Sequence, residues 1–115
     1  MAKRTIADAA TESSGVACCA SVLAAPLDEF DAERIARRFA ALADPVRLRL
    51  LSLIAATDEI CSCDLLEPVD RSQPTVSHHT KLLAEAGLIV GEKRGRWTWW
   101  HVEPTAIGEL RGVLS

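Results

Sequence analysis

Four cysteines carry the most specific chemistry in this 115-residue sequence, and they fall into two close pairs, Cys18-Cys19 and Cys61-Ser62-Cys63. Adjacent or alternate cysteines do not easily meet disulfide geometry with each other. In a reducing compartment they are thiols available to a soft ion. Ions that prefer thiolate take three or four sulfurs, so neither pair suffices alone and the segment carrying Cys18 and Cys19 must fold back onto Cys61 and Cys63. Either pair by itself also reads as small buried hydrophobes, but that is a poor account of four cysteines in two pairs with none elsewhere. Zinc-ribbon knuckles need gaps of two residues or more, and a thioredoxin-like Cys-x-x-Cys is absent. A redox switch that joins Cys19 to Cys61 on oxidation stands as the alternative. Cys61 to Cys63 is expected at the start of a short helix, whose free amides favour thiolate while Glu59 and Asp64 oppose it by like charge.

A second kind of chemistry sits in one basic stretch. The formal net charge is −3, yet residues 71–101 hold five Lys/Arg against two Asp/Glu, whereas residues 1–70 hold seven against twelve. Positive charge gathered in one segment is what phosphate binding requires. On a helix from about Gln73 to Ala86, Gln73, Ser77 and Lys81 share one stripe with His78 and Glu85 beside it, and Val76, Leu83 and Ala86 lie opposite. Gln and Ser both donate to and accept from base edges, and Lys and His suit phosphate or guanine. Ser72, at the helix start, and the first-turn Thr75 complete the set expected to face DNA. An ordinary amphipathic surface helix would show the same apolar stripe. The next segment weighs against that: Lys93, Arg94 and Arg96 cluster at the tip of a predicted hairpin, where they would reach an adjacent backbone or minor groove as a wing. No nucleophile-base pair, phosphate loop or carboxylate pair supports an enzyme.

These residues need a frame to position them. The first 27 residues, rich in Ala, Ser and Thr, show no sustained period and are expected to form an arm carrying Cys18 and Cys19. Residues 28–115 form the folded domain. Its first helix runs from Asp28 to about Ala43, with Ile35, Phe39 and Leu42 recurring. Asp44-Pro45 then opens a second helix, to about Ala56, burying Val46, Leu50, Leu53 and Ile54. A short helix through Cys63, Leu65 and Leu66 is expected to stop at Pro68. Ser72 caps the long helix and Gly87 ends it.

Leu88-Ile89-Val90 and Trp97 to Val102 then alternate as a hairpin about a turn at Lys93-Arg94-Gly95. Trp97 and Trp99 point to one side and Trp100 to the other, so at least one packs under the long helix. His79 is expected partly buried and satisfied, and His101 has no metal role. Ile107, Leu110, Val113 and Leu114 mark an apolar face on a last helix. The result is a mainly α chain with a β-hairpin, a winged helix-turn-helix. So small a domain holds itself together only marginally, and a dimer would help. No apolar run approaches a membrane span and the N-terminus lacks a secretory pattern, so a cytoplasmic location is expected.

Taken together, Leu42-Ala43-Asp44-Pro45-Val46-Arg47-Leu48-Arg49-Leu50-Leu51, Glu59 to Leu65, Ser72-Gln73-Pro74-Thr75-Val76-Ser77-His78-His79, Ala86-Gly87-Leu88 and the Gly95-Arg96 hairpin resemble the ArsR/SmtB family of metal-sensing repressors over about residues 28–115. The resemblance implies a homodimer, paired through its first and last helices, that binds a palindromic operator when empty and leaves it when loaded. Cys61-x-Cys63 resembles the motif of members that sense trivalent arsenic or antimony, and of members that sense cadmium and lead. Some arsenic sensors combine an adjacent cysteine pair in the arm with one further cysteine, matching Cys18, Cys19 and Cys61. Cadmium sensors join two arm cysteines to the Cys-x-Cys, matching all four. The chain departs from the pattern at Leu66, where arsenic sensors often carry a third cysteine. The zinc ligands of the last helix are missing too, where only Glu109 and no histidine is found, so zinc regulation is not expected.

Overall fold

The computed structural model describes residues 21–115, so Cys18, Cys19 and nearly all of the expected arm lie outside the described residues. Helix α1 spans Glu29–Leu42 and α2 spans Pro45–Ala55. Strand β1, Ile60–Cys61, leads into a 3-10 turn at Ser62–Leu65 and a short α3 at Leu66–Val69. Helix α4 covers Gln73–Glu85, strands β2 and β3 cover Ile89–Arg94 and Trp97–Val102, and α5 covers Pro104–Val113.

Each long helix starts where a side-chain acceptor meets its free amides. Asp28 accepts from the Asp31 amide, Asp44 from Val46 and Arg47, Ser72 from Thr75 and Glu103 from Thr105. Proline sits in the first turn of α2, α4 and α5, where its missing N–H costs nothing. Gly87, at φ +78, turns the chain out of α4.

Two expectations are corrected. The short helix does not stop at Pro68 but continues to Val69 and ends on Asp70 at φ 54. Pro68 falls in the first turn of α3, where amides have no partner within the helix. The hairpin turn is also shorter than expected: β2 runs on to Arg94, leaving Gly95-Arg96 as a two-residue loop. Gly95 has φ +66 and Arg96 has no positive φ, the pattern of a type II′ turn that suits a twisted hairpin.

The core lies where α2, α3 and α4 meet the sheet. Leu50, Ile54, Leu65, Val69, Val76, Leu83, Leu88, Ile89 and Ala106 form one buried cluster. Trp100 packs against it, as expected of one of the three tryptophans. The sheet is antiparallel in the order β1-β3-β2. A buried carboxylate ties α5 to α1: Glu109, 5 % exposed, pairs with both Arg34 and Arg38, and Arg38 also donates to the Ala86 carbonyl across 3.3 Å. Beyond this clamp, Phe30 and Leu114 lie open, 72 % and 62 % exposed, and Phe39, expected on the inner stripe of α1, is 40 % exposed.

Candidate nucleic-acid interface and cysteine pair

Helix α4 presents the polar stripe that its spacing requires. Ser72, Gln73, Ser77, His78 and Lys81 are exposed and Thr75 is half-buried, while Val76, Thr80 and Leu83 face inward. Ser72 spends its oxygen on the helix start, lying 3.4 Å from the Thr75 amide and 3.0 Å from the Thr75 hydroxyl. The reading face therefore begins at Gln73.

The hairpin stands beside that face. Gln73, Ser77 and Lys81 share a groove of about 540 Å³ with Lys93 and Arg96 from the wing and Ser62, Thr98 and Trp100. Three cations, Lys81, Lys93 and Arg96, against the one carboxylate of Glu85, thus converge on a concave surface that also carries an amide and hydroxyl groups, the donors and acceptors that both phosphates and base edges need. Sequence reasoning missed Ser62, Thr98 and Trp100 as groove wall. Strand alternation held the signal for two of them, because Thr98 and Trp100 share the face opposite Trp97 and Trp99. Gly91 makes the close approach possible: a Cβ there would lie 2.6 Å from the Trp100 ring.

The third wing cation behaves differently. Arg94 turns onto the other face of the sheet, donates to both Glu59 oxygens at 2.9 and 2.8 Å and to Glu92 at 2.7 Å, and covers the Trp99 ring at 5.1 Å. Its pairing with Glu59 holds that carboxyl below its usual range. The expected cluster of three cations is therefore split, with Lys93 and Arg96 facing the groove and Arg94 facing away.

Cys61 and Cys63 come together. Their sulfurs lie 2.7 Å apart, with Cys61 buried and Cys63 half-buried. The bend from β1 into the 3-10 turn brings the two thiols together and leaves Ser62 in the groove wall. Cys61 ends β1 opposite Trp99 and is also the cap residue of the 3-10 turn that begins at Ser62, so the pair stands at the start of the short helix as expected. The turn runs on without a break into α3, so helical backbone follows the pair as far as Val69. The hydrogen bond shared with Cys61, then burial and the Asp64 charge, push the Cys63 thiol up to about 11, so together they outweigh the amides of the helix start. Among the described residues no group of three or more His, Cys, Asp or Glu is placed to hold a metal ion.

His79 is half-buried, as expected, and its partner is Arg47, whose guanidinium lies 3.1 Å from Nδ1. Arginine only donates, so Nδ1 accepts and the ring proton resides on Nε2. Burial holds the His79 pKa below its usual value, and the nearby Arg47 adds to that effect. His101 is exposed on β3.

Comparison with known proteins places this geometry. Residues 44–90 match the family described as bacterial regulatory protein, arsR family. The chain is 33% identical over 92 residues to the arsenical resistance operon repressor of Bacillus subtilis, covering 77% of this chain and 85% of that protein. It is 30% identical over 84 residues to the cadmium resistance transcriptional regulatory protein CadC of Listeria innocua, covering 73% and 71%. The solution structure of a homodimeric winged helix-turn-helix DNA-binding domain from Mycobacterium bovis, a possible ArsR-family regulator, superposes with a TM-score of 0.61 at 24% identity, covering 75% of this chain and 82% of that one. These proteins are regulators of transcription, not enzymes.

Proposed function

Because the chain belongs to the arsR family of bacterial regulatory proteins, we propose that it is a cytoplasmic repressor that binds a palindromic operator as a homodimer and dissociates when trivalent arsenic or antimony is taken up by its cysteine thiolates. One observation carries this reading: two sulfurs converge at 2.7 Å on the segment whose middle residue, Ser62, walls the groove shared by α4 and the wing.

The donor set fits a soft ion. Two thiols point at one place, no third ligand stands beside them among the described residues, and Cys18 and Cys19 are the remaining thiols of the sequence. Cys61 and Cys63 would hold the ion with Cys18 and Cys19. A thiophilic ion bound there would displace the protons of its cysteine ligands and draw those side chains together. What this chain supplies is the link between that event and DNA. Movement of Cys61 and Cys63 displaces Ser62 and the short α3, and with them the register of α4 on its half-site. Couplings of this kind are typically about 1–3 kcal/mol per effector, and two sites on a dimer would sum to enough to empty an operator.

Gln73, Ser77, His78 and Lys81 are assigned to the major groove, Lys93 and Arg96 to the flanking backbone, and Ser72 and Thr75 to the helix start that orients them. The dimer would cover Phe30 on α1 and Leu114 at the end of α5, apolar side chains that one copy leaves open. A cadmium- or lead-responsive repressor using all four sulfurs is the second reading, favoured by the likeness to the Listeria regulator across 73% of this chain.

Fluorescence-anisotropy titration of a labelled duplex from the protein's own promoter tests the DNA half. Lys81→Ala is expected to weaken binding on any sequence and to lower the salt slope by about one. An unchanged slope and affinity would remove α4 from the interface.

A further inference from the structure

The outer face of the sheet connects the cysteine pair to the wing through a single cation. Strand β1 meets β3 at two residue pairs, Ile60 with Trp100 and Cys61 with Trp99. Strand β3 in turn sets Trp99 opposite Glu92 on β2. Cys61, Trp99 and Glu92 therefore form one row across three strands. The Arg94 guanidinium closes over this row, 5.1 Å from the Trp99 ring, with two hydrogen bonds to Glu59 and one to Glu92.

Glu59 precedes Cys61 by two residues, so this fork crosses from the wing to the segment that carries the cysteine. A guanidinium that meets both oxygens of one carboxylate fixes orientation as well as distance. The pair is open to solvent, Arg94 at 40% and Glu59 at 43% side-chain exposure, and such pairs add little to stability. Its consequence is therefore geometric. With the fork closed, β1 is held to the hairpin by side chains as well as by two backbone pairs. With it open, only the backbone pairs and the packing beneath them remain.

We propose that Glu59 and Arg94 are positioning residues that make the wing follow the cysteine pair. When Cys61 and Cys63 take an ion, the shift of β1 passes through Glu59 and Arg94 to Lys93 and Arg96, the wing cations on either side of Arg94 in the chain. Cys61 is 3% exposed, so a new partner for its sulfur must be accommodated by moving the strand. This inference rests on the effector reading given above and adds a route to the wing beside the one through α3.

The test uses the full-length dimer, a labelled promoter duplex, and arsenite and cadmium salts as probes. Ion affinity is read from sulfur-to-metal absorbance and DNA affinity from anisotropy, for wild type and Glu59→Gln. Wild type should lose DNA affinity on loading by a factor within the usual range of about 5–150. Glu59→Gln should keep ion affinity and ion-free DNA affinity within about twofold, while its release factor falls at least about fivefold or to near unity. The swapped pair Glu59→Arg/Arg94→Glu should recover part of the release. A Glu59→Gln protein that releases DNA as wild type does overturns this inference alone. One that loses ion-free DNA binding shows a merely structural role and also overturns it. A wild type indifferent to both ions overturns the effector reading and this inference with it.

Discussion

His79 shows how a single side chain records its surroundings. Its Nδ1 accepts from Arg47, and burial holds its pKa below the ordinary 6.5. The unfolded chain therefore takes up a proton that the folded one resists, so stability is full above about pH 6.5 and falls as the pH drops below it. Urea midpoints at pH 7.5 and 5.5 should differ less for His79→Gln, which keeps an acceptor and cannot titrate; an equal difference in both proteins would contradict this. Of the cysteines, Cys61 carries the clearest expectation. Cys61→Ser should bind promoter DNA as wild type does and fail to leave it when arsenite is added. Dissociation of that variant on arsenite addition would refute the assignment of Cys61.

Among the elements, the α1–α5 clamp and the root of the wing make separate predictions. Glu109→Gln leaves Arg34 and Arg38, both less than a third exposed, without their shared anion. It should cost about 3 kcal/mol by urea denaturation, the lower end for breaking a buried pair. Gly91→Ala drives a Cβ to within 2.6 Å of the Trp100 ring and 2.9 Å of Thr98. Overpacking there should cost about 1–3 kcal/mol and weaken DNA binding, because both neighbours wall the groove.

Local signals made most elements legible in advance. Asp44 and Ser72 are true helix caps, Gly87 is the true stop, and the stripe of Gln73, Ser77 and Lys81 is exposed as its period required. Long-range partners decided what was missed. Strand β1 is two residues long, too short to show a period, and exists because β3 offers it an edge. Pro68 read as a stop because the 3-10 turn ahead of it, which leaves it in a first turn, has no sequence signature of its own. Arg94 looked like its neighbours Lys93 and Arg96 until strand alternation and Glu59 turned it away. Glu109 was noted only as a solitary carboxylate on the last helix, since its two arginines lie more than seventy positions earlier.

At the scale of the molecule, the two halves of the proposed function share one small sheet. Its inner face walls the groove with Thr98 and Trp100, and its outer face carries Cys61, Trp99 and the Arg94 fork. A thiol site set this close to a DNA-reading groove needs no long relay. The open apolar residues of α1 and α5 predict a dimer at micromolar concentration by sedimentation. Phe30→Glu with Leu114→Glu should give monomers with much weaker operator binding, because two half-sites are no longer joined.

The central claim is that cysteine loading releases DNA. Its most direct test is anisotropy of the promoter complex titrated with arsenite, and separately with cadmium, for wild type and for Cys18→Ser/Cys19→Ser. Arsenite is expected to release the wild type and leave the double variant bound, and release by cadmium alone would favour the four-sulfur reading. A wild-type complex that neither ion disturbs would contradict the claim, and a double variant released as readily as wild type would remove Cys18 and Cys19 from the site.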